Sequence, residues 1–192
     1  MKLKYFRPEY RSLGNFDSPV VDFKNYWERQ INKDIKRHLC AGYVLLTDNE
    51  KEVVGYFTLS QNSVERDTTD NEKGSYPRTP ATLLGRLAVN KKFLNNGYGK
   101  QLILCILNLH IQVSKTIGSA VLVIQPLETA LGFYERMGIF KQYGEYLCIK
   151  TKDAKKVLDR IQEATRNESQ SNRILLVDDD IVEPIPNHNQ IH

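Results

Sequence analysis

The sequence predicts an α/β fold in which one mixed, mostly antiparallel sheet is flanked by helices. Three observations carry this prediction. Two apolar runs around a tight polar turn near residue 50 form a hairpin. An apolar strand, a long apolar helix and a second apolar strand then follow one another as a βαβ unit. The length of 192 residues suits one domain with a short appendage.

The first part of the chain supplies the antiparallel strands. Residues 2–6 alternate polar and apolar side chains and predict a short strand, and residues 41–47 and 53–59 predict the two strands of the hairpin. Apolar residues recur every three or four positions over residues 21–35, which predicts one amphipathic helix. Residues 62–80 are polar and contain a glycine and two prolines, so we expect a long exposed loop there.

The second part of the chain supplies the βαβ unit and the remaining elements. Residues 83–89 predict the central strand, residues 99–114 a largely buried helix, and residues 120–124 a buried parallel strand. The predicted elements after them are a short helix over 127–137 ended by Gly138, a strand pair or one long strand over 139–150, and an amphipathic helix over 153–165.

Residues 83–100, LLGRLAVNKKFLNNGYGK, place a glycine-containing loop between the central strand and the long helix. Glycine lets the backbone approach a ligand closely, and a helix N-terminus offers unpaired N–H groups, so the stretch predicts an anion site. A magnesium-nucleotide loop would need Ser or Thr where Gln101 stands, and a dinucleotide fingerprint would need glycine where Leu102 stands. Neither motif is therefore present.

The loop resembles instead the coenzyme A loop of the GNAT acetyltransferase superfamily, whose pattern is Gln or Arg, two residues, Gly, one residue, then Gly or Ala. Residues 95–99, NNGYG, match all of it except the first position, which is Leu94. The segments VGYFTL at 54–59 and GFYERMGI at 132–139 are similar to other family segments. LLGRLAV at 83–89 resembles the GNAT toxins of type II toxin–antitoxin pairs, which acetylate the amino group of aminoacyl-tRNA.

This resemblance covers roughly residues 1 to 151 and implies a sheet that splays at an acetyl-CoA site. It implies direct transfer, in which a backbone N–H near Val89 polarises the acetyl carbonyl, a neutral amine attacks, and Tyr134 donates a proton to the leaving thiolate. The alternative for Tyr134 is an ordinary core aromatic. The implied cofactor-binding residues lie on the strand, the loop and the short helix: Leu87, Ala88, Val89, Asn95, Asn96, Gly97, Tyr98, Gly99, Lys100 and Phe133. We expect Lys91, Lys92 and Lys100 to add positive charge where Leu94 cannot.

Two residues are candidates for contact with the acceptor. Arg86 would bind an RNA phosphate, or it is a strand residue that faces solvent. Glu65 would be a general base, or it is an exposed structural carboxylate. The three cysteines are widely spaced without a CxxC motif, which argues against a disulfide framework and against a zinc site, and we expect no metal.

Charge is unevenly distributed along the chain. The net charge is +4, but residues 173–192 carry one Arg against four acidic residues, which leaves +7 on the residues before them. A basic body suits an anionic partner such as a nucleotide cofactor or RNA. The N-terminus lacks the apolar core of a signal peptide and no apolar run has the length of a membrane span, so we expect a cytoplasmic protein without a membrane partner.

We therefore expect a GNAT acetyltransferase domain over residues 1–165 and a polar, acidic tail over 166–192. Within that tail, residues 173–180 form either a short edge strand or part of the acidic segment. The leading function is acetyl-CoA-dependent N-acetylation of a primary amine, with aminoacyl-tRNA as the first candidate acceptor. The alternatives are a protein or polyamine-like acceptor, and a non-catalytic acyl-CoA-binding module. The resemblance also implies a small antitoxin protein as a partner and leaves a homodimer open.

Overall fold

The structure, a computed structural model, describes residues 1–65 and 77–168. Its strands are β1 (Lys2–Tyr5), β2 (Ala41–Leu46), β3 (Val53–Glu65), β4 (Arg78–Val89), β5 (Val121–Ile124), β6 (Lys141–Tyr143) and β7 (Tyr146–Lys150). They form one sheet in the order β1-β2-β3-β4-β5-β7-β6. Neighbouring strands are antiparallel except for β4 and β5, which are parallel. The predicted mixed, mostly antiparallel sheet is thus confirmed.

Helices cover both faces of this sheet. They are α1 (Val21–Arg29), α2 (Ile31–Lys36), α3 (Tyr98–Thr116), α4 (Leu131–Met137) and α5 (Thr151–Glu168). The apolar side chains of α3, α4 and α5 pack into one core with one face of the sheet, and those of α1 and α2 form a second core on the other face. Within residues 1–65 and 77–168, no helix combines the length and the apolar character needed to cross a membrane.

The prediction of a single helix over residues 21–35 is wrong. The helix breaks at Gln30, whose φ of −119° ends α1, while the Gln30 carbonyl accepts hydrogen bonds from the N–H groups that start α2. Trp27 from α1 and Ile31 from α2 are both buried in the same core. Because the two helices present their apolar residues to one face, the apolar spacing continues through the break and conceals it.

The prediction of a loop over the whole of residues 62–80 is also wrong. The strand β3 continues to Glu65 and β4 starts at Arg78, and these two residues are register partners at the far end of the β3–β4 pair. Backbone pairing satisfies the N–H and C=O groups of both strands whatever their side chains, so the polar composition of this stretch did not reveal the strands. Residues 66–76 lie outside the described part of the chain.

Two features of β4 shape the centre of the molecule. The strand pairs with β5 only from Ala81 to Leu84, and from there to Val89 its one partner among the described strands is β3, so the sheet opens beside its last residues. Gly85 is an extra residue in the register, because Leu84 pairs with Leu59 and Arg86 pairs with Thr58. Because of this bulge, the side chains after Gly85 point to the opposite face of the sheet from the one they would otherwise face.

The consequence of the bulge is visible in the two cores. Leu84, Leu87 and Val89 all belong to the α3 side of the sheet, whereas Ala88 packs into the α1–α2 core and Arg86 lies over a ring of α1. Without the extra residue, Arg86 would point into the apolar core beneath α3.

The remaining elements agree closely with those predicted from the sequence. Residues 139–150 form the strand pair β6–β7, and Gly138 ends α4 with a φ of 64°. The last helix runs through residue 165 to Glu168, and the expectations for the rest of the tail, including residues 173–180, lie outside the described residues. All three cysteines are free thiols, and the described residues contain no group of three or more potential metal ligands.

Candidate active site

The loop between β4 and α3 is held by a buried side chain, that of Asn90. Its amide Nδ2 donates to the carbonyl oxygens of Val53 at 3.1 Å and Asn15 at 3.4 Å, and its Oδ1 accepts from the N–H of Lys92 at 3.3 Å. Since all of these partners are on neighbouring segments, Asn90 ties the start of the loop to β3 and to the N-terminal segment. The loop therefore begins from a fixed position.

The glycines of the loop have distinct roles. Gly97 has a φ of 79° and lies directly before α3, where a side chain would be strained and where the first-turn N–H groups of the helix are available. A Cβ on Gly99 would lie 3.2 Å from the ring of Phe133. The absence of a side chain at Gly99 thus lets α4 approach the N-terminus of α3, which brings two distant segments of the sequence into contact.

Leu94 and the lysines of the loop are arranged differently from the expectation. The Leu94 side chain is exposed, and the loop is braced instead by Asn96, whose Nδ2 donates to the Leu94 carbonyl at 3.0 Å. Lys91 forms an ion pair with Asp17 and Lys92 forms one with Glu52, so both lysines are already compensated by carboxylates. The exposed Lys100, in the first turn of α3, is the lysine left to add positive charge to the loop.

Tyr134 lies on α4 among aromatic neighbours and is only 6% exposed. Its ring makes edge-to-face contacts with Phe133 at 5.0 Å and Phe140 at 5.6 Å between ring centroids. Removal from water raises the pKa of the Tyr134 phenol to about 12, so the group keeps its proton at neutral pH. Within the described residues its hydroxyl makes no hydrogen bond. The hydroxyl is therefore available to donate to a ligand.

Arg86 lies on the opposite face of the sheet, in the part of β4 that has lost its β5 partner. Its guanidinium carbon is 3.7 Å from the centroid of the Tyr26 ring on α1. The side chain is partly buried, and it points toward the α1–α2 layer rather than freely into solvent. The structure therefore favours a positioned cation over a solvated strand residue.

Glu65 is separated from these residues. It lies seven positions beyond Thr58, the register partner of Arg86, which is roughly 20 Å along β3. Its side chain is exposed, and its backbone carbonyl accepts a hydrogen bond from the hydroxyl of Tyr143 at 2.6 Å. The structure does not bring Glu65 together with Arg86, and its role as a base stays a prediction that no contact supports.

The predicted cofactor-binding residues lie along the end of β4, the start of α3 and the adjacent part of α4. Leu87, Ala88 and Val89 form the end of β4 that pairs with β3 but not with β5, and on the β5 side it offers backbone N–H and C=O groups to an extended ligand. Asn95, Gly97, Tyr98, Gly99 and Lys100 continue directly from it around the start of α3, and Phe133 lies against Gly99. An open strand edge that leads to a helix N-terminus suits a long ligand with an acyl group at one end and a pyrophosphate at the other.

A mixed sheet that opens beside such a loop, with a protonated phenol nearby, is suited to the class of acyl-CoA-dependent acyltransferases. Residues 5–139 match the sequence model of the family described as "Acetyltransferase (GNAT) family", and the chain belongs to that family. It is therefore an N-acetyltransferase that uses acetyl-CoA.

Solved structures of GNAT toxins share this fold. A tyrosine-to-phenylalanine mutant of the toxin KacT has 24% identity and a TM-score of 0.71, with 82% of this chain and 99% of that one covered. AtaT in complex with acetyl-methionyl-tRNAfMet has 22% identity and a TM-score of 0.71, covering 81% and 98%. A mutant AtaT bound to acetyl-CoA and the C-terminus of the antitoxin AtaR has 21% identity and a TM-score of 0.69, covering 82% and 97%.

Several residues that shape the site were not predicted from the sequence. Asn90 and Tyr26 hold the loop and Arg86 in place, and the bulge at Gly85 decides which way Arg86 points. A polar residue directly after a strand, such as Asn90, is a weak sign of a cap. The contact between Tyr26 and Arg86 joins residues sixty positions apart and has no local signature.

Proposed function

We propose that this acetyltransferase transfers the acetyl group to the amino group of an aminoacyl-tRNA. The observation that carries the proposal is the contact between Gly99 and Phe133, because the Phe133 ring also packs on that of Tyr134 and so links the candidate proton donor to the predicted cofactor loop. The basic body of the chain and the fold shared with AtaT, which has been solved with acetyl-methionyl-tRNAfMet, support an RNA acceptor. Neighbouring complexes that contain an antitoxin segment support a small antitoxin as partner.

The roles of the residues follow from their positions. Bound acetyl-CoA would supply the acetyl thioester, with its pyrophosphate at the N–H groups around Gly97 and Gly99. The backbone near Val89 would polarise the acetyl carbonyl, since its polar groups have no partner strand on that side. Tyr134 would hold a proton at its hydroxyl and give it to the leaving thiolate, a role that suits a phenol that stays protonated at neutral pH and has no hydrogen-bond partner among the described residues.

Replacement of Tyr134 by Phe tests this assignment. The ring and its packing remain, so the variant folds, but the proton donor is lost. We expect kcat to fall by about a hundredfold or more while the KM for acetyl-CoA changes little. Tyr10→Phe, at a tyrosine packed against the α1–α2 core, is the matched control and keeps the wild-type rate. A Tyr134→Phe variant as fast as the wild type would remove Tyr134 from the mechanism.

The acceptor is tested by measuring thiol release from acetyl-CoA with aminoacyl-tRNA, polyamines and peptides offered separately. The proposal expects release with aminoacyl-tRNA, and expects expression of the protein to slow growth. Release only with polyamines or peptides would favour the second acceptor class. Binding of acetyl-CoA without release for any acceptor would indicate a binding module.

A further inference from the structure

The side of the sheet that faces α1 and α2 holds a positioned cation next to the open end of β4. The Arg86 guanidinium stacks over the ring of Tyr26 at 3.7 Å, and within the described residues Arg86 forms no ion pair with a carboxylate. Asp34, the acidic residue of α2, accepts a hydrogen bond from the side chain of Gln30 at 2.8 Å and lies near the hydroxyl of Tyr26 without pairing with Arg86. A partly buried guanidinium with unused donors is suited to bind an anion.

Tyr26 is a fixed platform for this cation. The residue is 5% exposed, its hydroxyl lies 3.6 Å from the sulfur of Cys40, and its ring stacks with that of Tyr56 at 6.4 Å between centroids. Attraction between a cation and an aromatic face increases when both are removed from water. The ring therefore holds the Arg86 side chain in one orientation. Because the side chain is already ordered, it loses less conformational entropy when a ligand binds.

The spacing along β4 between the backbone positions of Arg86 and Val89 is of the same order as the length of a small aminoacyl nucleotide. Arg86 is three residues before Val89 on an extended strand, so the two backbone positions are roughly 10 Å apart. In an aminoacyl ester of a 3′-terminal nucleotide, about eight bonds separate the amino group from the 5′-phosphate, an extended length of roughly 10 Å. A polyamine would carry positive charge to the same position and be repelled by Arg86.

We propose that Arg86, positioned by Tyr26, determines acceptor specificity by binding the 5′-phosphate of the terminal nucleotide that carries the aminoacyl group. This inference rests on the proposed function and specifies the part of the acceptor that is recognised. Arg86 acts in binding and orientation, and the proton chemistry stays with Tyr134. Tyr26 is a positioning residue.

A pair of minimal acceptors isolates this contact. One is an aminoacyl-adenosine with an amide in place of the labile ester, and the other is the same compound with a 5′-phosphate. For the wild-type protein we expect the phosphate to raise kcat/KM by about tenfold or more. This is the effect expected from a pair of charge-assisted hydrogen bonds. Arg86→Gln should reduce this ratio to about one, and Arg86→Lys, which keeps the charge but loses the planar stack, should give an intermediate ratio.

Two variants of Tyr26 separate positioning from folding. Tyr26→Phe keeps the ring and should keep the phosphate ratio, whereas Tyr26→Leu removes the ring and should lower the ratio. Thermal unfolding of each variant establishes that the comparison is made on folded protein, and the conservative variants Arg86→Lys and Tyr26→Phe carry the test if the others do not fold.

The outcomes distinguish this inference from the proposed function. Equal kcat/KM for the two acceptors in the wild type, or a ratio that survives Arg86→Gln, would overturn the role of Arg86 and leave aminoacyl transfer standing. Acetylation of polyamines with no acetylation of either aminoacyl compound would overturn both.

Discussion

At the scale of single residues, His110 shows how a buried polar group is accommodated within the core under α3. It lies on α3, is fully buried, and its Nδ1 and Nε2 are 3.0 Å from the hydroxyl of Thr82 and 2.8 Å from that of Thr151. The Thr151 hydroxyl donates to the Ser119 carbonyl at 2.6 Å, so it accepts from Nε2–H, and Nδ1 then accepts from Thr82. The network links α3, β4 and the start of α5.

His110 predicts a pH dependence of stability. Burial lowers the pKa of its imidazole to about 4, from about 6.5 in the unfolded chain, so the neutral form is the one that folding favours. Its contribution is complete above pH 6.5 and is lost as the pH falls toward 4. At pH 5 the free energy of unfolding should be about 2 kcal/mol smaller than at pH 7.5 from this group alone.

Urea unfolding at the two pH values measures the difference. His110→Gln should be less stable at pH 7.5 and show a smaller change between the two pH values. His38→Asn is the matched control, because His38 is exposed and has a φ of 57°, which Asn tolerates. If His110→Gln retains the full wild-type pH dependence, another group is responsible for it.

At the scale of secondary-structure elements, α5 supports the helix that carries the cofactor loop. Ala154 is fully buried in the core shared with α3, and Val157 and Leu158 pack against the same core. Since α3 starts at the glycine loop, a loss of support from α5 acts on the site through the position of α3. The apolar face of α5 thus belongs to the core of the domain.

Leu158→Ala tests this support. The side chain is partly buried, so we expect its truncation to lower the free energy of unfolding by about 1 to 2 kcal/mol in urea denaturation. Lys155→Ala, on the exposed side of the same helix, should change it by less than about 0.5 kcal/mol. Equal effects of the two substitutions would mean that the packing of Leu158 against the core does not stabilise the domain.

The elements also show what the sequence could predict and where it could not. The glycine loop, the βαβ unit and the segment around Tyr134 are contiguous motifs, so their presence followed from local pattern. The break at Gln30 and the extension of β3 to Glu65 depend on packing and on pairing with distant residues. The direction in which Arg86 points depends on one extra residue, Gly85, and no local pattern encodes it.

At the scale of the whole molecule, the C-terminal end and the rest of the chain carry net charges of opposite sign. Residues 169–192 contain one Arg and four acidic residues, a net charge of −3, whereas the residues before them carry +7. Binding of RNA to a basic surface releases counterions, so its strength depends on net charge and on salt. The acidic segment should therefore weaken RNA binding by the body through charge alone, whatever path the segment follows.

Removal of residues 169–192 tests the effect of this charge. We expect the shortened chain to bind tRNA several-fold more tightly at about 50 mM salt, with a steeper dependence of log Kd on log salt and a difference that disappears near 0.5 M. The full-length control replaces Asp178, Asp179 and Asp180 by Asn and Glu183 by Gln, which removes the four negative charges and keeps the length. If the shortened chain binds more tightly but this control does not, the segment acts by occupying space near the site and not by its charge.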